Sequence, residues 1–157
     1  MSKTTPATLA LSKAGFAFVT ATYDYDPDAD RVGLQAAEAM GVSPAIVLKT
    51  LMAEVDGRPV CVVVPSDAEV NMKKLAAAFG GKAAQMMKPA DAERLTGYKV
   101  GGISPFGQKR PVPTAMEELA TLEEAVFVNG GQRGLQIRMA PDDLLAALAA
   151  KAADLIR

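Results

Sequence analysis

The run Val47-Leu48-Lys49-Thr50-Leu51-Met52-Ala53-Glu54-Val55-Asp56-Gly57-Arg58-Pro59-Val60-Cys61-Val62-Val63-Val64-Pro65 decides the fold. Val47 to Val55 and Arg58 to Pro65 are two strand-like segments rich in apolar and β-branched residues. Asp56-Gly57 between them suits a type I′ turn, which the right-handed twist of paired strands favours, so the segment reads as a hairpin. Lys49 interrupts the apolar character of the first strand. Either it points to the outer face, or it enters a pocket where its ammonium binds an anion or a polarised carbonyl. The pattern leaves both open.

Upstream, Thr5 is a plausible N-cap, Pro6 suits the first helical position and Gly15 can end a helix. Phe16 to Tyr23 has strand composition and gives way to the polar run Asp24 to Asp30, a loop. Val32 to Met40 has helical spacing and stops at Gly41. Downstream, Asn71 can cap a helix running to Phe79, Gly80-Gly81 breaks it, and Lys82 to Met87 suits a short strand. Pro89 to Gly97 has the proline and glycine that open and close a helix. Tyr98 to Pro113, with Gly101-Gly102 and Pro105, shows no period and is the functional-loop candidate. Ala125 to Asn129 and Gly134 to Met139 form a second hairpin around Gly130-Gly131, and Pro141-Asp142-Asp143 opens a helix expected to reach Ile156. The fold class is α+β, with hairpins dominating over βαβ crossovers, in one domain spanning residues 1–157.

Composition narrows the chemistry. There is no histidine among the 157 residues, which removes Ser-His-Asp and Cys-His catalysis. With one cysteine, Cys61, a zinc hydrolase and an intrachain disulfide are not expected, and neither a calcium loop nor a nucleotide-binding glycine motif occurs. No metal or cofactor is expected. Cys61 sits mid-strand between valines, where an inert buried thiol is the simpler reading. Met1 to Ala10 lacks the apolar core of a secretory leader and no apolar run approaches 20 residues, so a cytoplasmic protein without a membrane segment is expected. Net charge is −1, yet residues 71–110 carry eight Lys/Arg against two Asp/Glu, a block able to meet phosphates. Solvated helix faces explain Lys73 and Lys74 equally well. The glycines of Gly101-Gly102-Ile103-Ser104-Pro105 let backbone N–H groups turn toward a ligand, or simply serve a tight turn. Gly130-Gly131-Gln132-Arg133-Gly134 has the same two readings.

Four pieces, in order, resemble the motifs of the YbaK/EbsC family: Val47 to Leu51, Asn71 to Ala76, Thr96 to Lys109 and Gly130 to Leu135. The resemblance spans nearly the whole chain, and its long T-G-Y-x-V-G-G-I-S-P block is specific. It implies a mixed, barrel-like β-sheet with packed helices, similar to the editing domain of prolyl-tRNA synthetases. It also implies hydrolysis of mischarged tRNA(Pro) at its acceptor end, closest to the Cys-tRNA(Pro) deacylase branch, with prolyl-tRNA synthetase as partner. The alternatives are an Ala-tRNA(Pro) deacylase and a non-catalytic module that binds aminoacyl-tRNA or a synthetase. By the resemblance, Lys49 is the family's essential lysine, and Gly101 and Gly102 open the loop that holds the scissile carbonyl and ends in Ser104 and Pro105. Tyr23 lies near the pocket, and Gly130, Gly131, Arg133 and Gln136 belong to the second glycine motif. One position departs: the Cys-specific branch often carries Gly-Leu-Asp where this chain has Gly134-Leu135-Gln136, an amide in place of a carboxylate.

Overall fold

Thr5 opens α1 (Pro6–Ala14) through a reciprocal cap: its Oγ1 accepts from the Thr8 N–H and its own N–H donates to Thr8 Oγ1 at 2.9 Å. The computed structural model describes residues 4–28 and 32–157. After α1 come β1 (Val19–Thr22), α2 (Val32–Met40), β2 (Leu48–Val55), β3 (Arg58–Pro65), α3 (Met72–Ala78), β4 (Ala84–Met86) and α4 (Pro89–Thr96). The chain then continues through β5 (Thr114–Glu117), β6 (Val126–Asn129), β7 (Leu135–Met139), α5 (Pro141–Leu148) and β8 (Lys151–Ala153). No described helix is long and apolar enough to cross a membrane.

The β2–β3 hairpin forms as its turn dictates, with Asp56 and Gly57 at φ 50° and 80°. It is the spine of a five-stranded sheet, β4-β2-β3-β5-β8, and a three-stranded sheet, β1-β7-β6, packs beside it. β3 reads as an unbroken apolar run because both of its faces are covered. Cys61 and Val63 face a core with Met52, Met116, Val128 and Ile137. Val62 and Val64 face Leu75 and Ala76 of α3 and Leu155. Each fully buried valine contributes roughly 1.5–3 kcal/mol. A third cluster joins Tyr23, Ala36 and Ala37 of α2, Val47 and Phe127. Among the described residues one parallel bridge, Val47 to Phe127, links the two sheets, which do not close into a barrel.

Two expectations are corrected and one strand is added. The strand expected over Phe16 to Tyr23 shortens to Val19–Thr22, because Phe16 and Phe18 pack against the core. Asp24 to Asp28 is irregular as expected, while Ala29 and Asp30 lie outside the described residues. The helix expected to reach Ile156 ends at Leu148, where Ala149 turns left-handed at φ 50°, and β8 then adds parallel to β5. β5 itself, parallel to β3, has no counterpart in the sequence reading. Both miss for one reason: parallel ladders are set by distant partners, not by local pattern.

Candidate active site

A cavity of about 640 Å³ opens between β2 of the larger sheet and β6 and β7 of the smaller one. Lys49 enters its wall from β2, Gly101 from the loop after α4, and Gln136 from β7. Thus three sequence-selected residues, from segments 35 to 87 positions apart by their numbering, meet on one surface. Lys49 is half-buried on the strand. Gln136 is 3% exposed, and its Oε1 has no hydrogen-bond partner in the protein; Thr50 Oγ1, across the cavity on β2, has none either. An unpaired buried polar atom costs about 1–3 kcal/mol, so the two strands that flank the cavity each carry an unmet polar demand.

The loop from Tyr98 to Pro113 has no regular structure, yet several of its polar groups pair within it. The Tyr98 hydroxyl donates to the Phe106 carbonyl at 2.6 Å, and Gln108 Nε2 donates to the Ser104 carbonyl at 3.1 Å. Gly101 takes φ 90°, and a side chain there would meet the Tyr25 hydroxyl at 3.1 Å and Arg133 Nε at 3.2 Å. Gly102 spends its N–H on the Lys99 carbonyl at 2.8 Å, so of the two glycine amides expected as oxyanion donors, that of Gly101 is the one left for the role.

The remaining selected residues do not line the cavity. Ser104 is fully buried, with Oγ accepting from the Phe106 N–H at 3.2 Å. Pro105 lines a smaller, separate pocket with Leu11 and Phe106. The Gly130 carbonyl accepts from Thr5 Oγ1, which ties the second hairpin to the start of α1. Arg133 donates two hydrogen bonds to the Val100 carbonyl, at 3.0 and 2.8 Å, and lies over the Tyr25 ring. Tyr23 packs beside Gln136, and burial raises its phenol above the ordinary value, partly offset by the Gly134 backbone and the Gln136 side chain.

Asn129 escaped the sequence reading. Its Nδ2 donates to the Gly101 carbonyl at 3.1 Å, while its Oδ1 accepts from the Gly131 and Gln132 N–H groups at 2.7 and 3.3 Å. One carboxamide thus clamps the two glycine-rich loops together, and it lines the cavity. Its signal was an Asn directly before Gly130-Gly131, where a hairpin turn offered a sufficient local explanation. Ser66, also on the cavity wall, was missed too; its Oγ donates to the Val47 carbonyl. No hydroxyl on the wall faces an imidazole. Cys61 lies outside the cavity, and burial pushes its thiol up to about 12.

Residues 26–147 match the family model described as the aminoacyl-tRNA editing domain. Over 126 residues, 79% of this chain and 77% of its relative, the sequence is 36% identical to EbsC of Enterococcus faecalis, named as a candidate Cys-tRNA(Pro)/Cys-tRNA(Cys) deacylase. Over 100 residues, 64% of this chain, it is 34% identical to a segment making up 17% of the proline–tRNA ligase of Maridesulfovibrio salexigens. A crystal structure described as a candidate trans-editing enzyme for prolyl tRNA synthetase superposes with a TM-score of 0.85 at 25% identity, covering 97% of this chain and 95% of the other.

Proposed function

Because this chain belongs to the aminoacyl-tRNA editing domain family, and is on that ground an aminoacyl-tRNA hydrolase, we propose that it removes cysteine wrongly esterified to tRNA(Pro), acting in trans beside prolyl-tRNA synthetase. The observation that carries the reading is a cavity that offers a cation, a backbone donor and unpaired polar groups, in a chain that has no histidine to serve as a base.

Ester hydrolysis needs an attacking atom and stabilisation of the tetrahedral oxyanion. In this mechanism the attacking atom comes from the substrate. The cysteine thiol adds to its own ester carbonyl, and the Gly101 N–H donates to the oxygen as charge develops. The C–O bond to the terminal ribose then breaks, the proton lost from sulfur ends on the departing ribose hydroxyl, and a strained thiolactone remains for water to open to free cysteine. Thiols are strong nucleophiles and partly ionised near neutral pH, so no histidine is required. Lys49 orients the sugar and phosphate oxygens of the terminal adenosine. Gln136 and Thr50 hydrogen-bond the bound aminoacyl end.

Hydrolysis of Cys-tRNA(Pro), Ser-tRNA(Pro) and Ala-tRNA(Pro) by the full chain tests this directly. Cysteine alone should be released at speed. Equal release of all three eliminates the thiol-assisted route, preferential release of alanine reassigns the substrate, and synthetase binding without any release makes the protein a binding module.

A further inference from the structure

The eight cations of residues 71–110 do not fall on one face. Lys74 is occupied on α3, donating to Asp154 at 2.9 Å and to the Ile156 carbonyl at 2.7 Å. Around α4 the arrangement differs. Lys88 stands at its N-cap and Arg94 in its last turn. The backbone N–H groups of Lys109 and Arg110 donate to the Thr96 and Leu95 carbonyls, which seats this basic pair against the C-terminal end of the helix. Of these cations, Arg94, Lys109 and Arg110 line a cleft of about 520 Å³, together with Met87, Asp91 and Glu54. Met87 also lines the active cavity, and Pro89 and Ala92 of α4 face that cavity while Arg94 and Leu95 face the cleft. One short helix therefore separates the two.

Building on the editing reading, we propose that this cleft carries the sugar-phosphate backbone of the RNA substrate as its 3′ end passes over α4 into the cavity. Charge selects the occupant. Asp91 is neutralised by its ion pair with Arg94, and Glu54, the other carboxylate on the lining, is outnumbered by the exposed side chains of Lys109 and Arg110, which enter none of the described ion pairs. In a chain of net charge −1, a local cationic rim beside the cavity suits phosphates, whose binding releases counterions. A protein partner would call for exposed apolar anchors. None of the described exposed large hydrophobic residues lines the cleft; Leu119 and Leu122, for example, lie elsewhere.

The test compares the full chain with a Lys109→Glu/Arg110→Glu variant on intact Cys-tRNA(Pro) and on cysteine esterified to a CCA trinucleotide. Expected is a roughly tenfold loss of kcat/KM on intact tRNA at low salt, with the trinucleotide ester unaffected. The slope of log kcat/KM against log salt should also become shallower by about 1.4–1.8, the share of two phosphate contacts. If charge reversal lowers the thermal midpoint, Lys109→Ala/Arg110→Ala replaces it. An unchanged rate and slope on intact tRNA overturns the proposal, as does an equal loss on both substrates. A loss seen only when synthetase is present also overturns it, in favour of protein docking. If the wild-type chain hydrolyses neither substrate, the editing reading itself fails. The cleft is then judged by binding of an uncharged acceptor-stem hairpin: weaker binding by the variant supports it, and equal binding overturns it.

Discussion

Asn129 is the residue on which the geometry of the site turns, because Gly101 has no side chain of its own to fix the loop that carries it. With Asn129→Ala the Gly101 carbonyl and the Gly131 and Gln132 amides lose their shared partner. We expect a loss of about 1–3 kcal/mol in stability and a larger fractional loss of kcat than of substrate affinity, read by denaturant unfolding and steady-state deacylation. Lys49→Ala should behave differently. In the proposed mechanism Lys49, half-buried on the cavity wall, holds the substrate end, so deacylation should fall roughly a hundredfold or more with little change in thermal midpoint. Retained turnover removes Lys49 from the site. A cation in an apolar strand made Lys49 conspicuous in the sequence, but the pattern left its direction open and the family resemblance singled it out. Asn129 was hidden because an asparagine before a glycine pair is expected in any turn.

Among the elements, those whose ends are written locally matched expectation: α1 with Thr5 and Gly15, the β2–β3 hairpin with Asp56-Gly57, and α4 between Pro89 and Gly97. The parallel strands did not. Lys151 to Ala153 continues an alanine-rich, helix-favouring stretch, and only the ladder to β5 makes it a strand. Glu117, at the end of β5, secures that arrangement from within the core: 1% exposed, its carboxylate accepts from the Leu119 N–H and the Leu155 N–H, both at 2.9 Å. Replacing it by Gln places an amide donor against one of these N–H groups. Glu117→Gln should therefore cost about 1–3 kcal/mol, with faster hydrogen exchange concentrated at β8 and the residues after it. Uniform exchange across the molecule contradicts a local role.

Taken whole, the protein has an alkaline limit set by buried acids. Burial pushes the Cys61 thiol from its ordinary 9.0 to about 12 and the Tyr98 phenol from 10.0 to about 12, and Tyr23 is raised as well. Because the folded state holds these groups protonated, their contribution is complete below pH 9 and is lost as pH climbs from 9 toward 12. The thermal midpoint should fall over that window, and Cys61→Ala, though less stable at neutral pH, should flatten its first part. At pH 8 iodoacetamide should leave the native chain unmodified and alkylate one thiol in urea; modification without denaturant contradicts the burial. The sheets offer a further lesson. Had pairing continued past Val47 and Phe127, β6 would have zipped along β2 and fused the two sheets into one. The ladder halts after one rung, and the gap it leaves is the doorway: an arrested seam supplies the room that a finished one would have consumed.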